Sequence, residues 1–137
     1  MPPTIRVGRP DDIGAVLGLW IRGGAEPTRT DDADSLRALL GHPGSALLVA
    51  GEGSALVGSV VVGWDGWRGS VYRLVVDPAH RHQGLGRRLL AAAEDHLSAV
   101  GAVRLQAVVV DTEPLATGFW RATEWEEQDH RLRFVRG

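Results

Sequence analysis

The 137-residue sequence contains no cysteine and no lysine. Without cysteine the chain has no disulfide, no thiolate nucleophile and no cysteine-ligated zinc site. All fifteen cationic residues are arginine, which stays charged and binds phosphate with a planar fork of donors. No apolar run approaches the roughly 20 residues of a membrane span, and the start of the chain lacks the apolar core of a signal peptide. We therefore expect a cytoplasmic protein that does not associate with membranes.

Length and composition fit one globular domain. A chain of 137 residues is long enough for one hydrophobic core and too short for two ordinary domains, so we predict that residues 1–137 form a single domain. With 44% hydrophobic and 23% charged residues, the composition is that of a folded protein. The net charge of −2 offers no general attraction for nucleic acid, and no nucleic-acid partner is predicted.

The hydrophobic pattern alternates between strand-like and helical segments. Strands are predicted at residues 4–8, 45–50, 55–64, 70–76 and 103–110. Helices are predicted at residues 10–22, 34–40, 84–100 and 114–122. The strand at 103–110 is mostly apolar, which is typical of a strand buried on both faces, and residues 125–135 are expected to form a closing β pair. This order predicts an α/β (α+β) fold with helices packed on the faces of a sheet.

The most informative segment runs from residue 71 to residue 90. A strand leads into a turn that contains Gly84 and Gly86, and the turn opens the long helix. The first N–H groups of a helix lack acceptors and carry the positive end of its dipole, and glycines let a ligand approach the backbone closely. The side chains around this turn can supply positive charge: His80, Arg81, His82, Arg87 and Arg88. The segment predicts a site for a polyanion such as a pyrophosphate.

Two common phosphate motifs do not fit this turn. No Gly-Lys-Ser/Thr follows it, as a P-loop requires, and the third glycine of a dinucleotide fingerprint is missing. Residues Arg81–Gly86 instead match the pattern Arg/Gln-x-x-Gly-x-Gly/Ala, which follows a strand ending in Val-Asp-Pro, here Leu74–Pro78. In both features the chain resembles the GNAT (GCN5-related N-acetyltransferase) superfamily. The resemblance covers nearly the whole chain in element order, and residues 55–125 in recognisable motifs.

The resemblance implies a fold, a cosubstrate and a binding site. The GNAT fold has a mixed, mostly antiparallel central sheet with a splayed strand pair and helices on both faces. The implied reaction transfers the acetyl group of acetyl-CoA to an amine without a metal ion. Backbone N–H groups of the turn would hold the pyrophosphate, and the pantetheine arm would pair with the strand before it. The implied coenzyme-binding residues are Leu74, Val75, Val76, Arg81, His82, Gln83, Gly84, Leu85, Gly86, Arg87, Arg88 and Phe119.

The implied catalytic groups match the family only in part. A backbone N–H near Leu74 would stabilise the oxyanion formed at the thioester carbonyl. Many relatives protonate the departing thiolate with a tyrosine, but the corresponding residue here is Trp120, whose indole is not a usable proton source. The one tyrosine, Tyr72, is the alternative acid, and release of the thiolate without an acid stays open. An attacking amine must also lose a proton. The carboxylates considered for that step are Asp65, Asp111 and Glu113.

These features leave more than one function open. The first is an N-acetyltransferase that acts on a small-molecule amine, a protein N-terminus or a lysine. The missing tyrosine motivates the alternative of a non-catalytic sensor of acyl-CoA or an interaction module on the same fold. The sequence does not identify the acceptor, and it leaves the oligomeric state open, a homodimer included.

Overall fold

The structure is a computed structural model that describes residues 2–110 and 112–137. Tertiary contacts divide the chain into two compact parts. The first part ends at Ala107, and the second runs from Val108 to Gly137. The single-domain organisation expected from the length stays a prediction.

As far as residue 121, strands and helices follow one another in the order that the hydrophobic pattern predicts. The first part contains β1 (Thr4–Val7), α1 (Ile13–Arg22), α2 (Ala33–Leu40), β2 (Ala46–Glu52), β3 (Ala55–Trp64), β4 (Gly69–Val76), α3 (Leu85–Ala99) and β5 (Leu105–Ala107). The second part contains α4 (Pro114–Arg121). Two single-turn 3₁₀ helices, Pro10–Asp12 and Pro78–His80, precede α1 and α3.

The strands form one mixed, mostly antiparallel sheet in the order β1-β2-β3-β4-β5. The first four strands pair antiparallel. Short turns join β2 to β3 and β3 to β4, and α1 and α2 lie between β1 and β2. Strand β5 pairs parallel to β4, and α3 makes the crossover that a parallel pair needs. The predicted α/β fold is confirmed. Because β5 pairs with β4 only across Gly69–Val71, the later half of β4 has no strand on that side within the described residues.

Helices pack against both faces of the sheet, as the alternation of side chains along β2 and β3 requires. On one face, Leu47 and Val49 are fully buried in a cluster with residues of α1 and α2. On the other face, α3 lies against the sheet so closely that a Cβ added at Gly58 would come within 2.8 Å of Leu89 Cδ1. Helices α1 and α2 therefore cover one face of the sheet, and α3 covers the other.

The end of the chain differs from the prediction. No strand forms in residues 125–135, so the expected closing β pair is wrong. Strand β5 covers three residues of the predicted 103–110, and Val103 is 96% exposed, so burial on both faces is also wrong. Apolar β-branched residues favour extended backbone, but a strand also needs a partner edge, which local sequence does not specify.

Candidate functional site

Residues 77–84 connect β4 to α3 and form a corner that hydrogen bonds hold in place. The Asp77 carboxylate accepts a hydrogen bond from the Ala79 N–H at 3.0 Å and pairs with Arg22 at 3.1 Å. The Asp77 N–H donates to the Val57 carbonyl at 2.8 Å. The hydrogen bond from Ala79 is the main cause that lowers the Asp77 pKa, and Arg22 adds to it. Asp77 therefore stays ionised and holds the chain as it leaves the sheet.

The corner ends in an open helix N-terminus. His82 and Gly84 both have positive φ, 62° and 79°, and Leu85 is buried, which anchors the first turn of α3. No side chain caps the helix at Gly84, and apart from its neighbours along the chain no described residue lies within 4 Å of the position where a Cβ would sit there. The first N–H groups of α3 have no acceptor within the helix. Such an end can bind an anion.

The arginines of the corner divide into two groups. Arg81 donates to the Gly23 carbonyl at 2.9 Å and Arg88 donates to the Pro3 carbonyl at 2.8 Å, so both brace the corner against neighbouring backbone. Arg87 is exposed on the first turn of α3. His82 and Gln83 are also exposed, and Gly86 is half-buried. Phosphate contacts by Arg81, Arg87 and Arg88 stay predictions.

Strand β4 contains a β-bulge just before the corner. Tyr72 pairs with Val61 and Val75 pairs with Ser59, so β4 has one residue more than β3 between these pairs. Arg73 has a φ of 51°, in the left-handed region, and Leu74 next to it is half-buried. A bulge places one residue outside the regular hydrogen-bond ladder. The predicted oxyanion-binding N–H near Leu74 therefore lies at an irregular point of the strand.

Tyr72 lies beside an open cleft of about 240 Å³. Its side chain is 49% exposed. The cleft is lined by Leu39, His42, Ser45, Gly63, Trp64, Asp65, Arg68, Ser70 and Tyr72. Asp65 Oδ1 accepts hydrogen bonds from the N–H groups of Arg68 and Trp67 at 2.6 and 2.8 Å, and these bonds lower the Asp65 pKa. Asp65 thus closes the β3–β4 turn.

The other predicted site residues belong to the second part of the chain. Glu113 is exposed immediately before α4, and its carbonyl accepts the Thr117 N–H at 3.0 Å. Phe119 contacts Trp120 edge to face at 5.7 Å, and Trp120 contacts Trp125 at 5.0 Å. Trp120, at the position of the customary tyrosine, is therefore part of an aromatic cluster. Asp111 lies outside the described residues.

Sequence reasoning missed the residues that support the bulge. Arg73 contacts Asp31 and the Glu26 carbonyl, and its guanidinium lies over Trp20. The fully buried Ser59 joins Trp20 to the same strand. The one available signal was a charged residue inside the apolar run of β4.

A family model described as the acetyltransferase (GNAT) family matches residues 16–124. The chain belongs to this family. A protein named acetyltransferase from Pectobacterium atrosepticum is 34% identical to this chain over 125 residues, which are 91% of this chain and 89% of that protein. The GNAT resemblance drawn from the turn and the strand before it is confirmed.

Solved structures share the fold. A protein from Clostridium acetobutylicum, described as a predicted acetyltransferase with acetyl-CoA, superposes with a TM-score of 0.81 at 13% identity, covering 97% of this chain and 96% of that chain. The aminoglycoside N-acetyltransferase AAC(6')-Iy, in complex with a bisubstrate analogue that contains CoA, superposes with a TM-score of 0.79 at 17% identity, covering 100% of this chain and 99% of that chain.

Two further observations bear on ligands and surroundings. Among residues 2–110 and 112–137, no three histidine, aspartate or glutamate side chains come together as a metal ion would require. Within the same residues, no helix has both the length and the apolar character needed to cross a bilayer.

Proposed function

We propose that this GNAT protein transfers the acetyl group of acetyl-CoA to a primary amine, by direct attack of the amine in a ternary complex. The observation that carries the proposal is the continuity of β4, the corner and α3. One segment of the chain combines a bulged strand with an uncapped helix N-terminus next to an open glycine. Two fold neighbours are described with acetyl-CoA or a CoA analogue, which supports the choice of cosubstrate.

The coenzyme would lie along this segment. The pyrophosphate would accept hydrogen bonds from the backbone N–H groups of residues 82–87, assisted by the dipole of α3. Arg81, Arg87 and Arg88 would lie near the outer phosphates, and Arg81 and Arg88 also donate to the Gly23 and Pro3 carbonyls. The pantetheine arm would pair with Leu74–Val76, on the side of β4 that β5 does not cover. Phe119 stays a proposed contact from the second part of the chain.

The reaction needs charge stabilisation and two proton transfers. The amine nitrogen attacks the thioester carbonyl carbon, the bond from carbon to sulfur breaks, and the amine loses one proton. The Leu74 N–H would donate a hydrogen bond to the carbonyl oxygen as it gains negative charge, an interaction worth several kcal/mol of barrier in acyl-transfer enzymes, roughly 3–4. We assign Tyr72 as the group that protonates the thiolate. Asp111 and Glu113 are the proposed proton acceptors, directly or through water.

Asp65 is poorly suited to act as the base. Its Oδ1 already accepts two backbone hydrogen bonds, and these hold its pKa below the usual range. A carboxylate with a lowered pKa is a poor proton acceptor. Asp65 therefore shapes the turn beside the cleft and takes no proton in the proposed reaction.

The cleft beside Tyr72 would admit the acceptor. Its volume of about 240 Å³ lies below the roughly 300–1,000 Å³ of pockets that enclose drug-sized ligands. Leu39 and Trp64 provide apolar walls, and Ser45, Ser70 and His42 provide polar ones. This size fits an amine carried on a group no larger than an amino-acid side chain.

The experiment is thiol release from acetyl-CoA in the presence of a panel of amines graded by size. Turnover with small primary amines that falls as the amine becomes bulkier is the expected result. Acetyl-CoA binding without turnover on any amine would favour the acyl-CoA sensor, an alternative that the replacement of the customary tyrosine by Trp120 keeps open. Absence of acetyl-CoA binding would contradict both functions.

A further inference from the structure

Arg73, the residue at the bulge of β4, is hydrogen-bonded to the connection between α1 and α2. Its Nε donates to Asp31 Oδ1 at 3.1 Å, and one terminal nitrogen bonds to Asp31 Oδ2. The same nitrogen donates to the Glu26 carbonyl at 2.6 Å and contacts Thr28 Oγ1 at 3.3 Å. Both side chains of the Arg73–Asp31 pair are less than one-fifth exposed. Because the pair is partly buried, solvent ions screen it less than they screen an exposed pair.

The connection is itself ordered around the Asp31 carboxylate. Asp31 accepts the Thr28 N–H at 3.0 Å and the Thr28 hydroxyl at 3.1 Å. At the other end of the connection, Arg22 pairs with Asp77 and the Gly23 carbonyl accepts from Arg81. Residues 22–31 are thus bound to the bulge of β4 at one end and to the corner between β4 and α3 at the other.

The contacts of Arg73 and Asp31 hold a backbone conformation that is unfavourable for a residue other than glycine. A non-glycine residue in the left-handed region costs roughly 1–2 kcal/mol. Arg73 adopts this conformation with a φ of 51°. Its carbonyl accepts from Ser59 Oγ at 3.4 Å, and its guanidinium lies 5.5 Å from the centre of the Trp20 ring. The bulge is therefore held from its backbone and from its side chain.

We propose that Arg73 is a positioning residue: its clamp on Asp31 and the Glu26 carbonyl holds the bulge in the conformation that presents the Leu74 N–H to the thioester carbonyl. This inference rests on the proposed function and adds a residue to it. Arg73 touches neither the coenzyme nor the acceptor in this account. It acts through the backbone of the residue that follows it.

The first test compares Arg73→Ala with the wild type in steady-state kinetics and in acetyl-CoA titrations. We expect kcat to fall roughly 10–100-fold, part of the effect of losing one oxyanion donor, while the Kd for acetyl-CoA changes less than about twofold. Added guanidinium ion at millimolar concentration should restore part of kcat. Asp31→Asn should show a smaller fall in the same direction. Arg37→Ala, which breaks an exposed ion pair with Asp34 on α2, is the matched control and should leave kcat unchanged.

The second test does not depend on turnover. In ¹⁵N-labelled protein, binding of a ketone analogue of acetyl-CoA should shift the Leu74 amide proton downfield in the wild type and not in Arg73→Ala. If the wild type shows this shift but no turnover, the proposed catalytic function fails while the proposed role of Arg73 stands. An Arg73→Ala protein that is less stable but keeps kcat and the Leu74 shift would overturn the inference. Loss of acetyl-CoA binding in Arg73→Ala would overturn it as well, because the clamp would then serve the coenzyme site.

Discussion

Trp20 donates the hydrogen of its indole Nε1 to the hydroxyl of Ser59, 2.8 Å away. The two residues are 39 positions apart and join α1 to β3 in the core. Ser59 is fully buried, and its hydroxyl also contacts the Arg73 carbonyl. One serine thus satisfies the indole and supports the bulge of the neighbouring strand.

Removal of the Ser59 hydroxyl should destabilise the protein. Ser59→Ala leaves the buried indole N–H without an acceptor, which costs about 1–3 kcal/mol. Urea unfolding followed by circular dichroism measures the loss. Ser98→Ala, at an exposed position on α3, is the control and should stay within about 0.5 kcal/mol of the wild type. Equal stability of Ser59→Ala and the control would show that the hydrogen bond contributes nothing.

The sequence was sufficient for the parts of the fold that depend on local pattern. The helical period placed α3, and Gly84 marked its beginning because a residue with positive φ stands there. The match of Arg81–Gly86 to a family motif then indicated the family, which the family model confirms. These features lie within one continuous segment, so no long-range contact was needed to recognise them.

Features that depend on pairing between distant residues could not be obtained in this way. The bulge exists because β3 and β4 pair in a particular register, and the partner of Arg73 lies 42 residues away. The prediction of a closing β pair at residues 125–135 was wrong for the same reason, since a segment's own sequence does not supply the neighbouring edge that a strand needs. The hydrogen bonds of Arg81 and Arg88 to the Gly23 and Pro3 carbonyls likewise join residues far apart in the sequence, and their phosphate contacts stay predictions.

Asp12 should make stability depend on pH under acidic conditions. Two hydrogen bonds from Arg6, at 2.8 and 2.9 Å, are the main cause that lowers the Asp12 pKa from 3.8 to about 2. Since the folded pKa is the lower one, the stabilisation is fully present above about pH 4 and is lost as the pH falls toward 2. Discounted for the exposure of Arg6, it amounts to about 0.5–1 kcal/mol.

Asp12→Asn tests this assignment. The variant should be less stable than the wild type at pH 7, and the difference should shrink between about pH 4 and pH 2. Urea midpoints measured at half-unit pH steps give the comparison. A difference that stays constant across this range would mean that the carboxylate charge of Asp12 does not stabilise the fold.

Tyr72→Phe should lower turnover without affecting coenzyme binding. If the phenol protonates the departing thiolate, its loss should reduce kcat about tenfold, less than the 10²–10⁴ of an indispensable acid because a thiolate can also leave unprotonated. The Kd for acetyl-CoA should stay within about twofold. Trp67→Phe, at an exposed aromatic outside the cleft, is the control. An unchanged kcat at every pH between about 6 and 9 would remove Tyr72 from the reaction.

The most direct measurement is a calorimetric titration of acetyl-CoA into Gly84→Asn and Gly53→Asn. Both glycines have positive φ, 79° and 62°, with open space at the Cβ position, and asparagine tolerates this backbone conformation. Gly84 begins α3, whereas Gly53 lies in the turn between β2 and β3. We predict that Gly84→Asn weakens acetyl-CoA binding at least tenfold, because its side chain occupies the space for the pyrophosphate, and that Gly53→Asn binds like the wild type. Equal affinity of the two variants would contradict the assignment of this helix end to the coenzyme.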